Sequence, residues 1–322
     1  MVLGHGLGSE SSVWGIKSVI SAKQFGRAEI EAVIERAALM EKICGSKGHE
    51  PRLSGKVMAA LFYEESTRTR LSFETAMLRL GGSVIGTENA RMFSSAAKGE
   101  SLQDTARIVG GYADVIVIRH YEKGASEQAS LVAGVPVINA GDGPGEHPTQ
   151  GLLDVYTIHK EFGSVEGRTV ALVGDLCHGR TVRSLAQMLS HFPGVRFIFV
   201  APARLAMGDD IKRLLISRGV SFRETEDFNA ALRESDVVYM TRIQKERFED
   251  PSEYEKYKGV YILDPGKAAM MRAGAIIMHP LPRVGEIAPE VDTDRRARYF
   301  EQARNGLYVR MALLDLVLGG SS

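Results

Sequence analysis

A chain of 322 residues has length for about two domains, and a hydrophobic content of 44% is ample for a real core. Forty basic and forty acidic residues cancel with no Lys/Arg block, which argues against nucleic acid or an anionic membrane as a partner. No apolar run approaches the ~18 residues of a spanning helix, and Cys44 and Cys177 lie far apart without a C-x-x-C, a pattern of a reducing, cytoplasmic setting rather than of structural zinc.

Residues 1–15 are rich in Gly and Ser without a period and read as a disordered extension. Ile30, Val33, Ile34, Ala37 and Met40 then mark an amphipathic helix, and Lys56–Phe62 is a short apolar run that predicts a buried strand. Ser66-Thr-Arg-Thr-Arg70 follows, before a helix striped by Phe73, Met77 and Leu80 and stopped by Gly81-Gly82. A helix N-terminus there leaves N–H groups without partners and about +0.5 charge. Two arginines and three hydroxyls on the same turn suit an anion, most simply a phosphate, although a Ser N-cap with surface arginines has the same local pattern.

Ser83–Ile85 reads as a short strand, and Gly86–Gly99 as a long loop of small and polar residues. Ser101 with Asp104 opens a helix in capping-box fashion. Val115–Ile118 is a buried strand with Arg119-His120 at its carboxyl end, and a helix near Ala125–Ala133 leads to the strand Pro136–Ile138. The Gly-rich stretch Asn139–Gln150 ends in His147-Pro-Thr-Gln150 at the start of a helix carrying Leu152, Leu153, Val155 and Tyr156. A His-Pro alone is commonly a loop residue, but polar groups at a second strand end lie where open α/β sheets bind ligands.

Strands at Val170–Val173, Arg196–Val200, Asp236–Met240 and Gly274–Met278 alternate with helices through Val182, Leu185 and Leu189 and near Asp210–Ser217. Gly174–Arg180 lacks G-x-G-x-x-G and is no dinucleotide fingerprint. Thr241–Arg247 and His279-Pro-Leu-Pro-Arg283 follow two of these strands, and Arg304–Leu318 forms a last helix long enough to reach the first half. The alternation predicts an α/β fold of two doubly wound parallel-sheet domains, linked by helices, with that last helix packing back on the first.

Ser66–Arg70, Arg119-His120, His147–Gln150, Gly179-Arg180-Thr181, Thr241–Gln244 and His279–Arg283 together resemble the aspartate carbamoyltransferase catalytic-chain family, in the right order, from about Lys17 to Leu318. The resemblance implies carbamoyl transfer from carbamoyl phosphate to L-aspartate, an early step of pyrimidine synthesis, needing no cofactor and no metal. It divides the chain into a carbamoyl-phosphate domain at 16–148, joined by the C-terminal helix at about 304–322, and an aspartate domain at 149–303. It implies that Ser66, Thr67, Arg68 and Thr69 hold the phosphate, that Arg119, Thr69 and His147 polarise the carbamoyl oxygen, and that Gln150 fixes the carbamoyl amino group. Arg180 and Arg242, with Gln244, would grip the two aspartate carboxylates, and Leu281 would offer its backbone carbonyl.

The same resemblance gives Glu64 a domain-closure bridge to Arg180 and Arg247, with Glu246 steadying Arg242, where composition alone suggests a solvated charged face. It sends Ser94 and Lys98 into the site of a neighbouring subunit, making a homotrimer the active unit, where the bare sequence reads as a mobile loop. Ala97 departs from the pattern, standing where some members carry a second lysine. Regulatory subunits and an inhibitory nucleotide are further candidate partners, and an organelle stays open beside the cytoplasm. An ornithine carbamoyltransferase would need an ammonium site where Thr241-Arg-Ile-Gln244 offers a cation, and His279-Pro-Leu-Pro lacks the His-Cys-Leu-Pro form of that group. A non-catalytic anion-binding paralogue would be expected to have lost some of Arg68, Lys98, Arg119, His147 or Arg242, and all are present.

Overall fold

A computed structural model describes residues 14–90, 98–244, 248 and 250–319. Trp14 and Gly15, at the end of the expected extension, are among the described residues: the Trp14 ring lies tilted to the Phe25 ring with centroids 6.2 Å apart and packs with Ile16 against the core, and Val19 bridges to Ile138. Residues 1–13 lie outside the described residues.

Helix α1 (Arg27–Ser46) buries the stripe from Ile30 to Met40. Strand β1 (Val57–Phe62) leads to α2 (Thr67–Arg79), which buries Phe73, Ala76 and Met77 and closes on Gly81 at φ +81°, a left-handed turn that glycine permits. Strand β2 (Ser83–Glu88) runs past Ile85, where a loop was expected. Gly86 allows this, because a Cβ there would come 2.5 Å from the Ala60 carbonyl on β1. In α3 (Leu102–Gly110) the Ser101 hydroxyl accepts from the Asp104 N–H at 3.1 Å and donates to the Asp104 carboxylate at 2.8 Å, a hydroxyl cap in place of the reciprocal box. Next come β3 (Val115–His120), α4 (Ala125–Ser130), β4 (Val137–Asp142) and α5 (Pro148–Phe162).

The second half holds β5 (Thr169–Val173), α6 (Arg180–Leu189), β6 (Arg196–Val200), α7 (Asp209–Ser217), β7 (Ser221–Thr225), α8 (Phe228–Glu234) and β8 (Val237–Met240). Helices α9 (Pro251–Tyr257) and α10 (Pro265–Ala268), strand β9 (Ile276–Met278) and helix α11 (Tyr299–Leu318) complete it. The sequence reading passed over β7, α8, α9 and α10. Strand β7 is an edge strand with no buried residue, so it carries no apolar run, and the helices are short.

Four parallel strands stand in the order β2-β1-β3-β4, and five in the order β7-β6-β5-β8-β9. Each sheet is wound both ways from its first strand. A crevice therefore opens at the carboxyl ends of β1 and β3, and another at those of β5 and β8.

Helix α11 ties the halves together. It begins at Tyr299 rather than Arg304, because Tyr299 is buried with Ile277 and Val291 in the second half. It ends in the first half, where buried Asp315 pairs with Arg36 of α1 and, at 2.7 Å, with Arg52. Midway, Gly306 lies against Leu153 of α5. Replacing Asp315 with Ala strands two guanidinium groups that can partly rehydrate, so Asp315→Ala is expected to lose about 1.5–3 kcal/mol of stability, read from the denaturant midpoint.

Candidate active site

The two crevices face one another across a cavity of about 510 Å³. Five arginines line it, Arg68, Arg119, Arg180, Arg242 and Arg310, against the two carboxylates Glu64 and Glu65, so its charge favours anions. Ser66, Thr67, Arg68 and Thr69 come from the first turn of α2. Ser66 occupies the N-cap with extended backbone and no side-chain cap bond, which leaves the first N–H groups of α2 to the cavity. Arg70, expected as a second cation for the anion, instead pairs with Glu88 at 3.1 Å and Glu74 at 3.8 Å. At about 100° per residue, positions 68 and 70 point to nearly opposite sides of the helix.

Strand β3 divides Arg119 from His120 by the same logic at period two. Arg119 lines the cavity and meets Glu64 at 3.4 Å, with its Nε buried and without a hydrogen-bond partner among the described residues. His120 turns away, stacked on Tyr121 and accepting from the Glu122 N–H at 3.0 Å. Gly141 at φ +116° lets Arg119 approach Arg180: a Cβ there would lie 3.0 Å from the Arg119 Nη1 and 3.2 Å from the Arg180 Nη2. Arg180 also donates to the Gly143 carbonyl at 2.6 Å, joining the start of α6 to the loop after β4.

His147 is the N-cap of α5 and is 5% exposed. Burial first, then the charges of Arg180, Arg119 and Arg310, hold its pKa well below the ordinary imidazole value, so the ring is neutral. The Thr149 hydroxyl lies 3.4 Å from its Nδ1. A neutral ring keeps one N–H, and if the Thr149 hydroxyl donates to Nδ1 that N–H is at Nε2. Gln150, on the first turn of the same helix, donates its amide to Asp154 at 2.9 Å.

From the second half, Thr241 bonds the Val173 carbonyl at 2.8 Å, and Arg242 and Gln244 line the cavity beyond it. Leu281 has φ +55°, a left-handed conformation costing about 1–2 kcal/mol for a residue with a Cβ, and precedes a cis Pro282. The His279 ring steadies this turn, accepting from the Leu281 N–H at 2.8 Å through Nδ1 while its Nε2 meets Glu286 at 2.7 Å.

The structure thus brings together Glu64, Ser66, Thr67, Arg68, Thr69, Arg119, His147, Gln150, Arg180, Arg242, Gln244 and Leu281. Lys98 is exposed and stands outside the lining of this cavity, while Ser94, Glu246 and Arg247 lie outside the described residues. Sequence reasoning missed Arg310, Gln302 and His178, which line the cavity, and Asp154 behind it, and gave no role to Thr181 of the Gly179-Arg180-Thr181 motif, which lines it too. Arg310 and Asp154 carried a signal: each is a charged residue inside an apolar run, Val309-Arg-Met311 and Leu153-Asp-Val155.

Residues 17–160 match the family described as aspartate/ornithine carbamoyltransferase, carbamoyl-P binding domain, and residues 166–317 its Asp/Orn binding domain. The chain is 56% identical to the chloroplastic aspartate carbamoyltransferase of Arabidopsis thaliana, over 95% of its own length and 78% of that protein's. It is 52% identical to the aspartate carbamoyltransferase catalytic subunit of Methanocella arvoryzae, over 94% and 97%. The crystal structure of Trypanosoma cruzi aspartate transcarbamoylase with carbamoyl phosphate and aspartate superposes with a TM-score of 0.88 at 43% identity, covering 92% of this chain and 95% of that one. Another structure of the Trypanosoma cruzi enzyme, TM-score 0.87 at 43% identity and covering 92% and 94%, holds N-(phosphonacetyl)-L-aspartic acid.

A neutral His147 should show no ring titration between about pH 6 and 8, where an ordinary imidazole gains its proton. Removing a neighbouring cation stabilises the imidazolium, so Arg180→Ala should move that titration upward, as read from the ring-proton shifts by NMR.

Proposed function

The chain belongs to the aspartate/ornithine carbamoyltransferase family, and from that premise we propose that the arginine-lined cavity is its catalytic site. The protein is an aspartate carbamoyltransferase. It transfers the carbamoyl group of carbamoyl phosphate to the amino group of L-aspartate and releases N-carbamoyl-L-aspartate and phosphate, a reaction of pyrimidine biosynthesis. One observation carries the site assignment: the open N-terminus of α2, five guanidinium groups and a neutral histidine converge on one cavity, matching a phosphate, two carboxylates and a carbonyl.

In this reading Ser66, Thr67, Arg68 and Thr69 hold the phosphate, and Arg119 spans phosphate and carbamoyl oxygen. The aspartate amine attacks the carbamoyl carbon, the carbonyl oxygen gains charge, the C–O bond to phosphate then breaks, and the departing phosphate takes the proton that the amine nitrogen gives up. Thr69, Arg119 and the Nε2–H of His147 donate to that oxygen. Gln150 accepts from the carbamoyl amino group, and the Leu281 carbonyl helps to orient the substrates. Arg180, Arg242 and Gln244 take the two aspartate carboxylates. A second carboxylate needs a second cation, so Arg242 is what favours aspartate over ornithine as acceptor. Alignment of two bound substrates can supply about 7–11 kcal/mol of the barrier.

We assign 16–148 with the C-terminal helix to carbamoyl phosphate and 149–303 to aspartate. The exposed position of Lys98, away from its own chain's cavity, supports a homotrimer in which Ser94 and Lys98 serve a neighbour's site. Glu64 would exchange its contact with Arg119 for Arg180 and Arg247 on closure, with Glu246 holding Arg242. Two unpaired thiols, Cys44 and Cys177, fit a reducing compartment, the cytoplasm or a plastid interior.

The purified protein given carbamoyl phosphate with either L-aspartate or L-ornithine should yield carbamoyl-aspartate and phosphate only; citrulline would overturn the acceptor assignment. Arg242→Ala should raise the KM for L-aspartate far more than that for carbamoyl phosphate. Arg68→Ala should lose about 10²–10³ in kcat. Mixed assembly of Arg68→Ala and Lys98→Ala chains should restore activity that neither has alone.

A further inference from the structure

We propose that Asp154 is a positioning residue of carbamoyl transfer: as a carboxylate that only accepts, it holds the Gln150 amide with its nitrogen inward and its carbonyl oxygen toward the carbamoyl amino group. This rests on the substrate assignment above. Asp154 lies one turn after Gln150 on α5 and is fully buried. Its Oδ1 accepts from the Gln150 Nε2 at 2.9 Å and the Gln302 Nε2 at 2.6 Å, and its Oδ2 accepts from the Tyr239 hydroxyl at 2.7 Å. Three donors thus come from three elements, α5, α11 and β8.

The two ends of a glutamine amide are nearly equal in shape, so only its partners decide which end faces a ligand. A carboxylate cannot donate and therefore forces NH2 toward itself. Gln302 is fixed in the same way and accepts the His279 N–H at 2.8 Å, at the head of the turn that carries Leu281. An Asn or a protonated Asp at 154 has to donate on one side: at Oδ2 it meets the Tyr239 hydroxyl, which can turn to accept, and at Oδ1 it meets the two glutamine amides, which then have to flip.

The charged and titratable groups facing Asp154 are Tyr239 from β8 and Arg310 from α11, itself buried and over the Phe73 ring at 5.2 Å. Burial pushes the Asp154 carboxyl up to about 7, against the three hydrogen bonds and the Arg310 charge, which pull it down. The form that orients Gln150 is the ionised one. It prevails above that pH and is lost as pH falls through it, when one carboxyl oxygen gains a proton and the carboxyl no longer only accepts.

The test uses the whole enzyme and N-(phosphonacetyl)-L-aspartate, which keeps the phosphonate and both carboxylates but has no carbamoyl amino group. Asp154→Asn should lower kcat by about tenfold or more while the Kd of this analogue stays within about threefold. The fall in wild-type kcat on the acid side of about pH 7 should vanish in the variant. Parallel loss of rate and analogue binding would show that Asp154 merely shapes the whole site, and an unchanged kcat or an unchanged acid limb would equally overturn the proposal. If the variant does not fold, the wild type decides: a kcat that falls through about pH 7 supports the proposal, and a level kcat refutes it. Failure of the wild type to bind the analogue would overturn the substrate assignment and this inference with it.

Discussion

A parallel sheet wound both ways from its first strand has one crevice, and in this protein two such crevices have to face each other. Arg68 and Arg119 come from the β1/β3 crevice, Arg180 and Arg242 from the β5/β8 crevice, and neither pair makes a site alone. Helices α5 and α11 hold the facing arrangement. The first opens on His147 and Gln150, and the second runs from the buried Tyr299 of one half to the buried Asp315 of the other. Glycines at 141 and 306 let charged side chains and helices close in where a Cβ would intrude.

Gathering cations in a cavity has electrostatic consequences that run through every neighbouring group. A buried imidazole among arginines stays neutral and so adds no further positive charge to an already cationic cavity. The Arg310 guanidinium is itself pulled down to about 10 by burial, with Asp154 as the opposing charge and Arg68 adding to the repulsion. Asp154 and Arg310 therefore stabilise one another's ionised forms in a setting that neither would tolerate alone. The Glu64 contact with Arg119 belongs to the same balance.

Much of this was legible in the sequence because strand ends and helix starts carry their polar residues locally. Ser66–Thr69 sits between an apolar run and an amphipathic stripe, and His147–Gln150 between a strand and a Pro-led helix, so site and fold signals coincide. The division of labour between neighbours was not: Arg68 and Arg70, or Arg119 and His120, look alike until helix and strand geometry send them apart. Strand β7 escaped because an edge strand with both faces partly wet has no apolar run. The Gln150–Asp154–Gln302–Tyr239 cluster escaped for another reason. Its members lie up to 152 residues apart and meet only once both sheets and α11 are assembled.

The arginine lining has a pharmacological side. A cavity lined by guanidinium groups favours polyanions, and polyanions cross lipid bilayers poorly because each charge must leave its hydration behind. Tight binding and cell entry thus pull inhibitor chemistry in opposite directions. A permeable compound would have to draw its affinity from the apolar flanks of the cavity, such as Leu153, Ala303 and the Pro280–Pro282 turn, or arrive with its charges masked by groups that the cell removes.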